Sequence, residues 1–232
     1  LLTTIRPYKT LILDGPFETG LFIDNDMSIP EAKMLDFSEK EYEEELLKIQ
    51  EKLYAYGVTG VHEAGISNPE LKILQEITQN KTLKLNIYAM LLPSSENISF
   101  ARKNGIYHKD NLLVRSFKVY GDGAMGSRVA CLKKAYTDQH NHTGYLTTSI
   151  SRMKQIATIC EETDYQMNTH AIGDSANHSV LKTYTKVLQG TSDRRWKVEH
   201  AQVVSPSDFQ YFKNCSDMRK SIHLLCVKVL WS

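Results

Sequence analysis

From Ser38 onward, strand-like and helix-like runs alternate every 30 residues or so, about the length of one βαβ unit, and this restricts the fold more tightly than any other feature. A connection that carries its own helix forces the two strands it joins to be parallel. An amphipathic helix is predicted from Ser38, an N-cap candidate with Glu39 and Glu41 in its first turn, to just before Gly57. Strand Val58 to Gly65 follows, then helix Asn68 to Gln79 with Asn68 as N-cap and Pro69 at its first position, strand Lys84 to Leu92, and a short helix Ser94 to Lys103. The next strand, Val114 to Tyr120, ends in a long loop. Beyond it come helix Ser149 to Thr163, strand Tyr165 to Thr169, helix Ser175 to Leu188, strand Trp196 to Glu199 and a helix starting at Pro206. Leu1 to Pro30, interrupted by Pro7, Gly15, Pro16 and Gly20, reads as irregular with a short strand at Gly20 to Ile23.

No linker or low-complexity segment interrupts the alternation, so residues 1–232 read as one β/α domain. Two architectures fit: an open doubly wound sheet, or part of a (β/α)8 TIM barrel with its polar strand ends gathered on one face. The turn GDGAMGS has the glycines of a dinucleotide site, but it leads into RVACLKKAY and not into a helix that could bind phosphate at its N-terminus. That favours the barrel.

The charge balance, 28 Lys and Arg against 27 Asp and Glu, gives +1 without a long run of either sign. Neither nucleic acid nor an anionic membrane is indicated as a partner, and a small molecule is expected. No stretch reaches the roughly 18 apolar residues that span a bilayer. Cys131, Cys160, Cys215 and Cys226 are too dispersed for a zinc knuckle or a disulfide framework and read as reduced thiols. The opening residues lack signal-peptide architecture. The chain begins without Met, a missing upstream segment is expected, and the compartment stays open with the cytoplasm slightly favoured.

Three strand-like runs end on a polar side chain. FKVY carries Lys118 near its C-terminal end and runs into Gly121, Asp122, Gly123 and Gly126, glycines that permit positive φ and close approach to a ligand. YQMNTH closes on His170, and WKVEH on His200. From pattern alone, a lone strand-end histidine is more often a hydrogen-bonded structural residue, and Lys118 a paired or snorkelling lysine. Glu199 is expected to face away from His200, and Asp174 to cap the helix at Ser175. Asp122 and Arg128 are candidates for substrate contact or loop bracing, and His140 and His142 for an exposed loop that could touch substrate.

FKVYGDGAMGSR, YTDQHNHTGYL, QMNTHAIGDSAN and RRWKVEHAQVVSPSDF together resemble the metal-dependent amidohydrolases of the amidohydrolase-3, YtcJ-like group. The resemblance covers residues 18–212 and not 213–232. It implies part of a (β/α)8 barrel, about strands two to six, and hydrolysis of a C–N bond of the amide or N-substituted formamide type. By motif, His170 and His200 match the metal-binding histidines of the fifth and sixth strands. Lys118 matches the fourth-strand lysine, whose carboxylation can bridge two metals. One or two divalent ions are implied, with zinc expected, together with an amide-type small-molecule substrate and a homo-oligomer as an open possibility. Neutral imidazoles suit such ions, and a bound ion lowers the pKa of its water towards ~7. The family's first-strand HxH pair and eighth-strand aspartate have no counterpart here. The chain is therefore expected to be an incomplete, by itself inactive barrel domain of a longer enzyme. The alternative is a non-catalytic β/α domain that has kept the fold and lost the centre.

Overall fold

The computed structural model describes residues 38–189 and 194–215. The strand expected at Gly20 to Ile23 lies outside them. Helix α1 (Glu39–Ala55) opens on Ser38, whose hydroxyl accepts from the Glu41 amide while the Glu41 carboxylate takes the Ser38 amide. That reciprocal pair satisfies two of the amides a helix start leaves open. Strand β1 (Gly60–Ile66) leads to α2 (Asn68–Gln79), whose cap is Ser67, not Asn68. Ser67 makes the same box with Glu70, whereas the Asn68 side chain bonds Asn97 at 3.3 Å. Then follow β2 (Asn86–Leu91), α3 (Ser95–Asn104), a strand of three residues, β3 (Tyr107–Lys109), and β4 (Leu112–Tyr120). A long loop leads to α4 (Ile150–Thr163), β5 (Gln166–Ala171), α5 (Asp174–Leu188), β6 (Lys197–His200), a 3-10 turn (Pro206–Asp208) and α6 (Phe209–Cys215). No described helix is long and apolar enough to cross a membrane.

Five strands form a curled parallel sheet in the order β1-β2-β4-β5-β6, a partial TIM barrel, with β3 antiparallel to β4. Each parallel step is a helical crossover, as the alternation requires. The two faces differ in chemistry because strand residues alternate sides. Ile87, Ala89, Leu91, Leu112, Val114, Phe117, Val119, Met167 and Ala171 join the helices in the apolar core. The register places His62 beside Tyr88, Met90 beside Ser116, Lys118 beside Asn168, and His170 between Tyr120 and Glu199, all on the other, inner face.

In β4 the alternation is broken once. Ala89 pairs with Val114, but Met90 pairs with Ser116, which leaves Arg115 as an extra, bulged residue. Before the bulge the core side is Leu112 and Val114; after it, Phe117 and Val119. The phase shift is what turns Lys118 to the inner face.

Helix α5 is fastened to the sheet by Tyr184. Its hydroxyl lies 3.0 Å from Met167 O, 2.7 Å from Thr169 Oγ1 and 3.0 Å from Lys197 O, bridging β5 and β6 behind the histidines. Its ring meets Trp196 edge-on at 4.9 Å. Tyr184→Phe keeps the packing but leaves buried acceptors without this donor. It should lower the unfolding free energy by about 1–3 kcal/mol, read as a reduced urea midpoint at unchanged slope.

Candidate metal centre

Lys118, His170 and His200 lie at the C-terminal ends of three adjacent parallel strands, β4, β5 and β6. His170 is held by the register: Tyr120 flanks it on β4, with ring centroids 6.0 Å apart, and Glu199 on β6. By alternation His200 belongs with the core side, since it pairs with Ala171. The strand ends on it in a left-handed turn, with φ of 72° at His200 and 43° at Ala201. Its imidazole lies edge-on to His170 with centroids 4.6 Å apart. For residues that carry a Cβ this conformation is strained, and the sequence pattern gives no sign of it.

Lys118 is buried, and its ammonium is ion-paired with the Glu199 carboxylate while sitting 5.1 Å from the Tyr120 ring centroid. Glu199 has no part in the sequence-based site. Alternation places it on the inner face, across from Lys118, and its neighbour His200 reaches the rim only through the left-handed turn.

The glycine turn after β4 serves the protein's own backbone. Gly121 donates to His170 O at 2.8 Å, and a Cβ there would lie 2.8 Å from the same oxygen. The close approach is thus to β5, and Gly121, Gly123 and Gly126 are not among the described positive-φ residues. Asp122 is buried. Its Oδ2 accepts from the amides of Cys131 (2.9 Å) and Gly173 (2.8 Å), and its Oδ1 from that of Ile172 (2.9 Å). This carboxylate staples the β4 loop to the segment following His170. Burial pushes its pKa up, with the three amides and His170 opposing.

Arg128 pairs with Asp138 on the loop surface at 2.7 Å, and His142 bonds Arg128 O at 2.6 Å while stacking on Tyr136. Both brace the loop. Asp174 does not cap α5: the cap is Gly173, and Asp174 accepts from the Lys133 amide at 2.8 Å. The first amides of α5, Ser175 and Ala176, go to Cys131 O, which lies where a Cβ on Gly173 would stand.

The donor set fits a divalent ion in part. His170 is largely buried, and its imidazole lies edge-on to that of His200. Burial first, then His200, lowers the His170 pKa against the pull of Asp122, which keeps the ring neutral, the form that binds metal. Among the described residues, however, no three His, Cys, Asp or Glu side chains gather closely enough to hold an ion. Clefts of about 490 Å³ beside His178 and Tyr211 and about 320 Å³ beside His62 and His108 lie away from the two histidines.

The curled parallel sheet with its helical crossovers is that of a partial TIM barrel. A model of the amidohydrolase family matches residues 18–223, and the chain belongs to that family, in its amidohydrolase-3 group. The match runs past Phe212, where the motif resemblance stops. The family implies hydrolysis with a divalent metal. Protein LONG AFTER FAR-RED 3 of Arabidopsis thaliana is 24% identical over 208 residues, which are 84% of this chain and 36% of that protein. YtcJ of Bacillus subtilis, which carries an amidohydrolase name, is 32% identical over 91 residues, or 38% of this chain and 17% of that one. Among solved structures, an uncharacterized metal-dependent hydrolase of Pyrococcus furiosus superposes with a TM-score of 0.72 at 24% identity, over 92% of this chain and 45% of that one. Another from Pyrococcus horikoshii gives 0.70 at 23% identity, over 83% and 41%. The chain thus spans less than half the length of each of these relatives.

The depressed His170 pKa sets the sign of a pH effect. An unfolded histidine titrates near ~6.5 and takes up protons before the folded His170 does. Its contribution to stability is therefore complete above that value and lost as pH falls from there towards the lower folded pKa. The metal-free chain should lose stability as pH falls through ~6.5 and below, and His170→Asn should flatten that slope in urea titrations. An equal slope in the variant would contradict the assignment.

Proposed function

We propose that this chain supplies the fourth- to sixth-strand part of a metal-dependent centre that hydrolyses a C–N bond, of the amide or N-substituted formamide type, in a small molecule. The supporting observation is the facing pair His170 and His200 at the ends of adjacent strands, one ring kept neutral by burial. These two imidazoles would hold the ion, and zinc suits them. Lys118 would join them only after carboxylation, since its ammonium has no lone pair to offer and is paired with Glu199. When bound, such an ion supplies a Lewis acid for the carbonyl and a water acidic enough to act near neutral pH.

The chain's own residues account for the setting. Gly121 and Asp122 fix the backbone at His170 and just after it, and Glu199 holds Lys118 among buried neighbours. Asp122, buried and bonded to three backbone amides, serves that framework and not substrate contact; Arg128 serves the loop. Two imidazoles are fewer than the three protein ligands of a usual catalytic zinc site, so further donors complete the shell in the whole protein.

Calorimetric titration of the purified 232-residue chain with zinc should accordingly give weak binding, abolished by His170→Ala or His200→Ala. Stoichiometric submicromolar binding would mean that another group closes the shell. In the whole protein, assayed on N-acyl and N-formyl amines, either substitution should cut turnover by more than the ~10- to 100-fold typical of an outer partner. Undiminished turnover would remove both histidines from the centre. Hydrolysis of none of these substrates, with no metal bound, would favour the non-catalytic domain.

A further inference from the structure

A carboxylate has about four lone-pair sites, two on each oxygen. Asp122 is 1% exposed, and three of its sites are taken: both on Oδ2 by Cys131 and Gly173, one on Oδ1 by Ile172. One site on Oδ1 remains, shut away from water. Next to it lies a donor with the complementary deficit. His170 Nε2 is buried without a hydrogen-bond partner and stands 3.7 Å from that same Oδ1. An unpaired buried N–H and an unpaired buried lone pair each carry a desolvation penalty, and a small turn of the imidazole removes both.

We infer that Asp122 is the positioning residue for His170: its Oδ1 accepts the Nε2 proton, which fixes the ring as the Nε2–H tautomer and leaves Nδ1 as the lone pair offered to the rim. Histidines that bind metals commonly give their other ring proton to a carboxylate, which sets both orientation and basicity. Here the same carboxylate grips the amides of Ile172 and Gly173, so the ring and the backbone beside it share one anchor. The backbone of Gly123 also lies beside the ring and favours its protonated form. The assignment of Nδ1 to a metal rests on the function proposed above; the pairing of Asp122 with His170 does not.

Long-range 15N–1H correlation spectra of the metal-free chain at pH 8 report the tautomer directly, without a variant that has to fold. The expected result is a single Nε2–H form for His170. Asp122→Asn should convert it to a mixture and weaken cobalt(II) binding by about 10- to 100-fold, while Asp138→Asn, on the loop surface, should leave both unchanged. An Nδ1–H tautomer in the native chain, or cobalt bound through Nε2, overturns the inference. A native Nε2–H tautomer in a chain that binds no cobalt upholds the pairing and removes the metal reading instead.

Discussion

The bulge at Arg115 is the constraint on which the rim depends. Strand residues alternate strictly, so a side chain's face is decided by counting from any fixed neighbour. Counting from Val114 on the core side, an unbroken β4 would send Ser116, Lys118 and Tyr120 into the helix layer and turn Phe117 and Val119 inward. The extra residue reverses this, giving the core two large apolar groups and the inner face an ammonium. Burial of that ammonium is tolerable because Glu199 reaches it from β6, two strands away. A pair so enclosed fixes position more than it adds stability, since desolvation offsets much of the attraction.

Much of the fold was legible because helix and strand signals were local. Ser38, Ser94 and Ser149 start helices with hydroxyls bonded to amides of the first turn, and five parallel strands stand close to where apolar runs placed them. What escaped was non-local. β3 is three residues long and owes its form to β4, against which it pairs. Asp174, with the right letter for a cap, is drawn off by the Lys133 amide, and the α5 amides turn to a carbonyl from the preceding loop.

The site divided along the same line. Lys118, His170 and His200 could be picked out as candidates because each lies at or within two residues of the end of its strand, and strands of successive β/α units end on one side. Their surroundings could not. Glu199 depends on the β5–β6 register, the inward turn of His200 on two left-handed residues, and the partners of Asp122 on a loop folding back across it. Glycine-rich spacing after β4 suggested room for a ligand. The room at Gly121 is filled by the neighbouring strand's carbonyl, a reminder that glycine marks close approach without saying of what.

The short strand β3 has a geometric consequence for the curvature of the sheet. It occupies the edge of Leu112 to Val114, so the backbone groups there are already bonded when β5 arrives, and β5 joins only from Ser116. On the opposite edge β2 joins from Leu112. With Arg115 bulged out, the two neighbours of β4 are therefore staggered by about three regular steps, or ~10 Å at the usual rise per residue. A sheet whose strands are offset in this way can close only with its strands tilted to the axis, because the summed offset is the shear that fixes tilt and radius together. Three residues with no chemistry of their own thus help set how steeply the wall carrying the histidines leans.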